Sequence, residues 1–101
     1  MTETRLPAER CETMAEVRAG VDSIDRELAV LIGERFRFME AAARIKPERG
    51  LVRDEARKAQ VIANARANAA ANDYPQAAAD AVWEVLVEAS IAYELDRFDE
   101  R

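Results

Sequence analysis

The sequence predicts an all-α protein with three helices per chain, the first much longer than the others, and three observations carry that prediction. Half of the 101 residues are apolar and 35% are charged, with only 3 glycines and 3 prolines. No stretch alternates apolar and polar residues for long, so there is little from which to build a sheet. A row at helical spacing, Val17, Val21, Ile24, Leu28, Leu31, Arg35, Phe38, Ala42 and Ile45, alternates steps of four and three residues. Two clusters of breakers, Pro47-Glu48-Arg49-Gly50 and Asn72-Asp73-Tyr74-Pro75, divide the rest of the chain into two further helical segments.

At this length the chain reads as a single domain, 1–101, large enough for one core and too small for two. Residues 1–11 read as a loose N-terminal arm. Thr13 then offers an N-cap, with Glu16 three positions later completing a capping box. The first helix continues to Ile45, with Gly20 and Gly33 tolerated inside it at a cost of about 1 kcal/mol each relative to alanine. Pro47 ends it, because the proline ring disfavours helical geometry at Lys46.

The second helix is expected from Val52 or Arg53 to Ala71, with Asp54 and Glu55 near its positive end and an alanine-rich middle suited to close approach by another helix. The third is expected to run to Phe98, with Asp73 as a cap and Pro75 early in its first turn. Two overlapping stripes mark it, Ala79-Val82-Leu86-Ser90-Tyr93 and Trp83-Val87-Ser90-Glu94. A first helix about 50 Å long exceeds the width of a globule of this size. Its apolar row therefore needs a partner along its length, and a second copy supplies one in an obligate, intertwined homodimer.

Composition also excludes function classes. A net charge of -5, without a lysine-rich block, argues against a nucleic-acid partner. No stretch approaches the ~20 apolar residues that cross a bilayer, and the polar start MTETRLPAER is unlike a secretory signal, which places the chain in the cytoplasm. Cys11 is the one cysteine, so it forms no intrachain disulfide and reads as a bystander thiol. The sequence contains no histidine. That removes the Ser-His and Cys-His pairs, the imidazole base and the histidine metal ligand, leaving Arg, Lys, carboxylates and hydroxyls for any chemistry.

The polar candidates are Arg18, Arg35 and Lys46 on the first helix, Arg53, Asp54, Arg57 and Lys58 at the start of the second, and Ser90 and Glu94 on the third. Arg35 interrupts an apolar row, so it is either a structural ion-pair member or a ligand contact. Arg35 and Lys46 are three turns apart on one face, about 16 Å along the axis, and their long side chains can lean toward one small anion. Arg18 is about 25 Å from Arg35 on the same rod, too far to share a small ligand within one chain. If it serves a site, that site belongs to the other subunit. The bland alternative for Arg18, Asp54 and Arg57 is that they are ordinary solvated charges on helix surfaces.

The ordered set Arg18, Asp25, Glu34-Arg35, Lys46 and Val52-Arg53-Asp54, followed by SIAYE from Ser90 to Glu94, resembles the all-helical chorismate mutases and the related isochorismate-pyruvate lyases. The resemblance spans Met14 to Phe98. It implies an intertwined dimer with two sites, each borrowing an arginine from the neighbouring subunit. Carried over by residue, Arg18 of one chain and Arg35 of the other hold the two carboxylates of a chorismate-like dianion. Lys46 donates to its ether oxygen and a neighbouring carboxylate. Asp54, Arg57 and Ser90 line the site, and Ala42, Val87 and Ile91 form its apolar wall. The implied reaction is the pericyclic rearrangement of chorismate to prephenate in aromatic amino-acid biosynthesis, which needs no metal or cofactor and no imidazole.

Two positions depart from that pattern. Glu94 stands where the family commonly has a glutamine that donates to the ether oxygen, although some members carry glutamate. Lys58 stands where the mutases often have a glutamate touching the ring hydroxyl. The alternative within the family is an isochorismate-pyruvate lyase giving salicylate and pyruvate, and the alternative of another class is a non-catalytic helical dimerisation or ligand-sensing module.

Overall fold

The computed structural model describes residues 3–101. Three α-helices carry the chain: α1, Met14–Ile45, α2, Glu55–Ala71, and α3, Gln76–Asp99, with short 3-10 turns at Ala8–Arg10 and Arg49–Leu51. The all-α, three-helix expectation holds, and no strand occurs among the described residues. None of their helices is long and apolar enough to cross a membrane. The chain divides into two compact units, one running up to Arg37 and the other comprising Phe38–Arg101.

In the first unit, α1 starts on the expected capping box. The Glu16 amide donates to Thr13 Oγ1 at 3.1 Å and the Thr13 amide donates back to the Glu16 carboxylate at 3.1 Å. The Glu12 amide, at 2.9 Å, also donates to that carboxylate, and these donors hold Glu16 below the usual carboxylate range. The arm expected to be loose is hydrogen-bonded to α1. Arg26 grips the Glu3 carboxylate through two nitrogens at 2.7 Å each, and Arg5 reaches Glu27 at 2.7 Å. These are pairings of opposite charge over more than twenty positions, which local composition does not disclose.

The apolar row of α1 remains open. Val17, Val21, Ile24, Leu28 and Leu31 are between 38 and 61% exposed, and Phe38 and Ile45 reach 65 and 69%.

The second unit holds the core. α2 packs on α3, and the Arg49–Leu51 turn rests against α3 as well. Ala65 and Ala69 of α2 meet Ala79 of α3 beside Trp83, so the alanine-rich middle serves the close approach its side chains suggest. Nearer the α1–α2 connection, Val52 packs with Val87 and Ile91, flanked by Val61, Leu95 and Phe98. The buried face of α3 is Ala79, Val87, Ser90, Ile91 and Glu94, whereas Val82 is 55% exposed. Of the two overlapping stripes, the one through Val87 and Glu94 faces the protein.

Two boundaries differ from expectation. α2 starts at Glu55, not at Val52 or Arg53, because the Asp54 carboxylate caps it by accepting from the Arg57 amide at 3.0 Å, while Arg49–Leu51 is wound into the 3-10 turn. Asp73 does not cap α3, whose N-cap is Pro75 without a side-chain bond. It closes α2 instead, at φ 60°, with the Tyr74 amide bonded to the Ala69 carbonyl at 3.1 Å and the Asp73 amide directed at Ala70. This is the reversed ending of a Schellman motif, in which glycine is the preferred residue. Asp73→Gly should remove the left-handed strain and, after the entropy gained by the unfolded chain, raise stability by about 0.5 kcal/mol and the melting temperature by roughly 2–4 °C. A melt of the variant that is unchanged or lower would contradict this account of the turn.

Candidate active site

Helical spacing places Val87, Ser90, Ile91 and Glu94 on one face of α3, and all four are buried. The Glu94 side chain is 5% exposed, and the Lys46 ammonium, from just past the end of α1, donates to its carboxylate at 2.7 Å. A buried carboxylate demands such a partner, since leaving it unpaired costs several kcal/mol. The Lys46 stem stays partly exposed at 29%, so the ammonium sits at the boundary between core and solvent. Ser90 Oγ donates to the Leu86 carbonyl of its own helix at 2.6 Å, which fixes the hydroxyl against α3. Val87 and Ile91 stand beside Val52 and supply the apolar surface.

The second unit therefore brings together Lys46, Glu94, Ser90, Val87 and Ile91. Asp54 and Arg57 are exposed at the start of α2, where Asp54 caps the helix and the Arg57 guanidinium donates to Gln60 at 2.8 Å. Arg18 and Arg35 belong to the first unit: Arg18 is exposed on α1, and Arg35 is half-buried within the apolar row. The helical rise sets them about 25 Å apart along α1.

Lys58 is engaged from two sides. It donates to Glu84 at 2.7 Å and Glu88 at 2.8 Å, while Arg53 holds Glu88 at 2.7 Å and Glu55 at 3.0 Å. The lysine that departs from the family pattern is thus one corner of a charge network joining the start of α2 to α3. Sequence reasoning misses this network, because Lys58 and its partners are separated by 26 and 30 positions. It also misses two arginine contacts near Lys46. Arg49 is bound to Asp99 at 2.8 and 3.2 Å, and Arg101 donates to the carbonyls of Ala43 and Lys46.

The geometry thus sets an ammonium against a buried carboxylate in an all-helical chain whose sequence holds no histidine. Residues 17–95 match the model of the chorismate mutase type II family, and the chain belongs to that family. No curated protein and no solved structure matches it.

The Arg53–Glu88–Lys58 network gives a pH dependence of stability. Hydrogen bonds from Arg53, then from Lys58, lower the Glu88 carboxyl from 4.5 to about 2. A depressed carboxyl stabilises the fold above its unfolded value and ceases to do so as pH falls through its folded value. Glu88→Gln should therefore flatten the decline in thermal midpoint between pH 4.5 and about 2, and added salt should shrink the difference because the pairs are exposed. Melts of the two proteins that run parallel across this range would refute the contribution.

Proposed function

We propose that the protein is a chorismate mutase, converting chorismate to prephenate in the cytoplasm as a homodimer with shared active sites. The observation that carries this reading is the Lys46 ammonium held 2.7 Å from Glu94 beside buried Ser90, Val87 and Ile91, in a chain of the chorismate mutase type II family.

The chemistry suits the residues present. The rearrangement breaks a C–O bond and forms a C–C bond within one molecule, so it needs no nucleophile, and its rate is raised by holding the enolpyruvyl arm over the ring. Negative charge that builds on the ether oxygen is stabilised by a preplaced donor. Lys46 takes that role, with Arg35 on one carboxylate and Arg18 of the neighbouring subunit on the other, each in a bidentate grip. Asp54, Arg57 and Ser90 line the ligand, and Val87 and Ile91 form its apolar wall. Glu94 assists when protonated, since only the acid form has a hydrogen to donate to the ether oxygen.

The open row of α1 supports the two-fold assembly. Covering half-exposed Val, Leu, Ile and Phe side chains contributes about 1 kcal/mol each. With the rows of both copies counted, seven residues apiece give roughly 14 kcal/mol, comparable to the upper estimates of the cost of association. Packing along the remaining length of the helix then tips the balance toward a stable pair.

Lys58 favours a second reading within the family, an isochorismate-pyruvate lyase, because a cation bound up by Glu84 and Glu88 does not replace a carboxylate that accepts from the chorismate hydroxyl. Incubation with chorismate and with isochorismate separates the two: loss of chorismate absorbance is expected, and salicylate fluorescence from isochorismate would replace the mutase reading by the lyase. Glu94→Gln, which sets an amide donor in place of the carboxylate, should keep turnover within a few-fold of wild type or raise it, whereas Glu94→Ala should lower it at least about tenfold. Equal turnover in the two variants would remove residue 94 from the chemistry. If neither substrate reacts, the chain is a non-catalytic helical module.

Sharing of sites has its own test. Arg18→Ala and Arg35→Ala homodimers should each lose turnover by orders of magnitude while remaining folded. Mixed after dissociation at equal amounts, they should recover about a quarter of wild-type activity, since half of the pairs carry one intact site of two. No recovery on mixing would show that each site is built from a single chain.

A further inference from the structure

A helix leaves its last carbonyls without amide partners, and its terminal turn frays unless something else satisfies them. At the end of α1 that something is Arg101. Its Nη1 donates to the Ala43 carbonyl at 3.0 Å and to the Lys46 carbonyl at 2.6 Å. A guanidinium at this end also complements the negative pole of the helix. Its carbon lies over the Phe98 ring, 3.9 Å from the centroid, so the group rests on an aromatic that itself packs on the Val52–Val87–Ile91 cluster. On the far side of the turn, Arg49 is tied to Asp99 by its paired bonds. The end of α3 thus grips the chain at residues 43, 46 and 49.

We propose that Arg101 is a positioning residue for Lys46. The inference rests on the reading that Lys46 acts on the substrate. A lysine ammonium hangs on four rotatable bonds and is placed only as well as its backbone and its ion partner allow. Residue 46 lies one position beyond the last residue of α1 and its amide makes a last helical bond, to the Ala42 carbonyl at 2.9 Å, while Pro47 contributes no amide to continue the ladder. Glu94 fixes the ammonium from one end, and Arg101 fixes the carbonyl from the other. With both anchors the charge is set before the ligand arrives, which is the condition for catalysis by preplaced charges. Arg101 itself is exposed, and its guanidinium donates to the backbone of Ala43 and Lys46, so its influence runs through Lys46.

The test compares wild type, Arg101→Ala and Arg101→Lys in steady-state kinetics with chorismate, together with the 1H–15Nζ signal of Lys46 at low temperature. Arg101→Ala is expected to lower kcat about tenfold while KM stays within about twofold, because the loss is one of orientation and not of ligand grip. The Lys46 signal should broaden or vanish. Arg101→Lys, whose ammonium can also donate to both carbonyls, should restore much of kcat and the signal. Wild-type kcat in Arg101→Ala, a loss carried by KM, or a kcat loss with the Lys46 signal unchanged would each overturn the inference while leaving the mutase reading standing. A wild-type protein inert toward chorismate would instead sink the mutase reading, and the Lys46 signal alone would then decide whether Arg101 positions it.

Discussion

A carboxylate buried to within a few per cent cannot remain charged in a protein interior without a cation, and Glu94 meets that demand through Lys46. Much of the second unit is arranged around this pair. Glu94 must face inward, which fixes the rotation of α3 and with it the burial of Val87, Ser90 and Ile91. Lys46 reaches it from just past the end of α1, where Pro47 stops the helix and the 3-10 turn at Arg49–Leu51 follows. The net stabilisation from such a pair is small, because desolvating both charges cancels most of their attraction. Its value lies in specification: removing either partner leaves the other stranded, so few alternative arrangements of these segments are tolerated.

α1 poses the complementary problem. Its row of Val, Ile, Leu and Phe side chains is largely exposed, and a contiguous apolar strip of this kind marks a surface that meets another. Arg35 sits half-buried in the middle of the strip. Under the proposed assembly, a second copy covers the row and turns a cation on an open helix into one enclosed by a pocket, where its attraction for a carboxylate is strengthened by the lower dielectric. The same helix would then serve as interface and binding surface at once, which is how a chain this short would enclose the dianion of the proposed reaction.

How much of the structure is legible in the sequence depends on the range of the interactions. Helix number, the Thr13–Glu16 capping box and the stop at Pro47 are local, set by residues three or four apart, and the sequence discloses them. Glu94 and Lys46 stand out through the family pattern. Their contact spans 48 positions and cannot be read from spacing alone. The arm held by Arg26 and Glu27, the Lys58 network and the Arg101 contacts depend on which long side chains meet once helices are placed, and any of many charged residues could have met. Asp73 fails as a cap for a different reason. Asn and Asp serve both helix starts and left-handed helix ends, so a short Asn-Asp-Tyr-Pro link satisfies either reading until the backbone angle is known.

The two departures from the family pattern also differ in kind. Lys58 is absorbed by structure: with Glu84 and Glu88 as partners it joins α2 to α3, and its charge is largely neutralised where it stands. Glu94 is not absorbed in this way, because the group that neutralises it is the same ammonium that the proposed reaction uses. In the paired state Lys46 is drawn to Glu94; an incoming ether oxygen must compete with a full negative charge for the same hydrogens. A glutamine at this position would end that competition and add a second donor in a single step. Exchanging one carboxylate oxygen for an amide nitrogen would thus change both what Lys46 can reach and what the proposed site can offer.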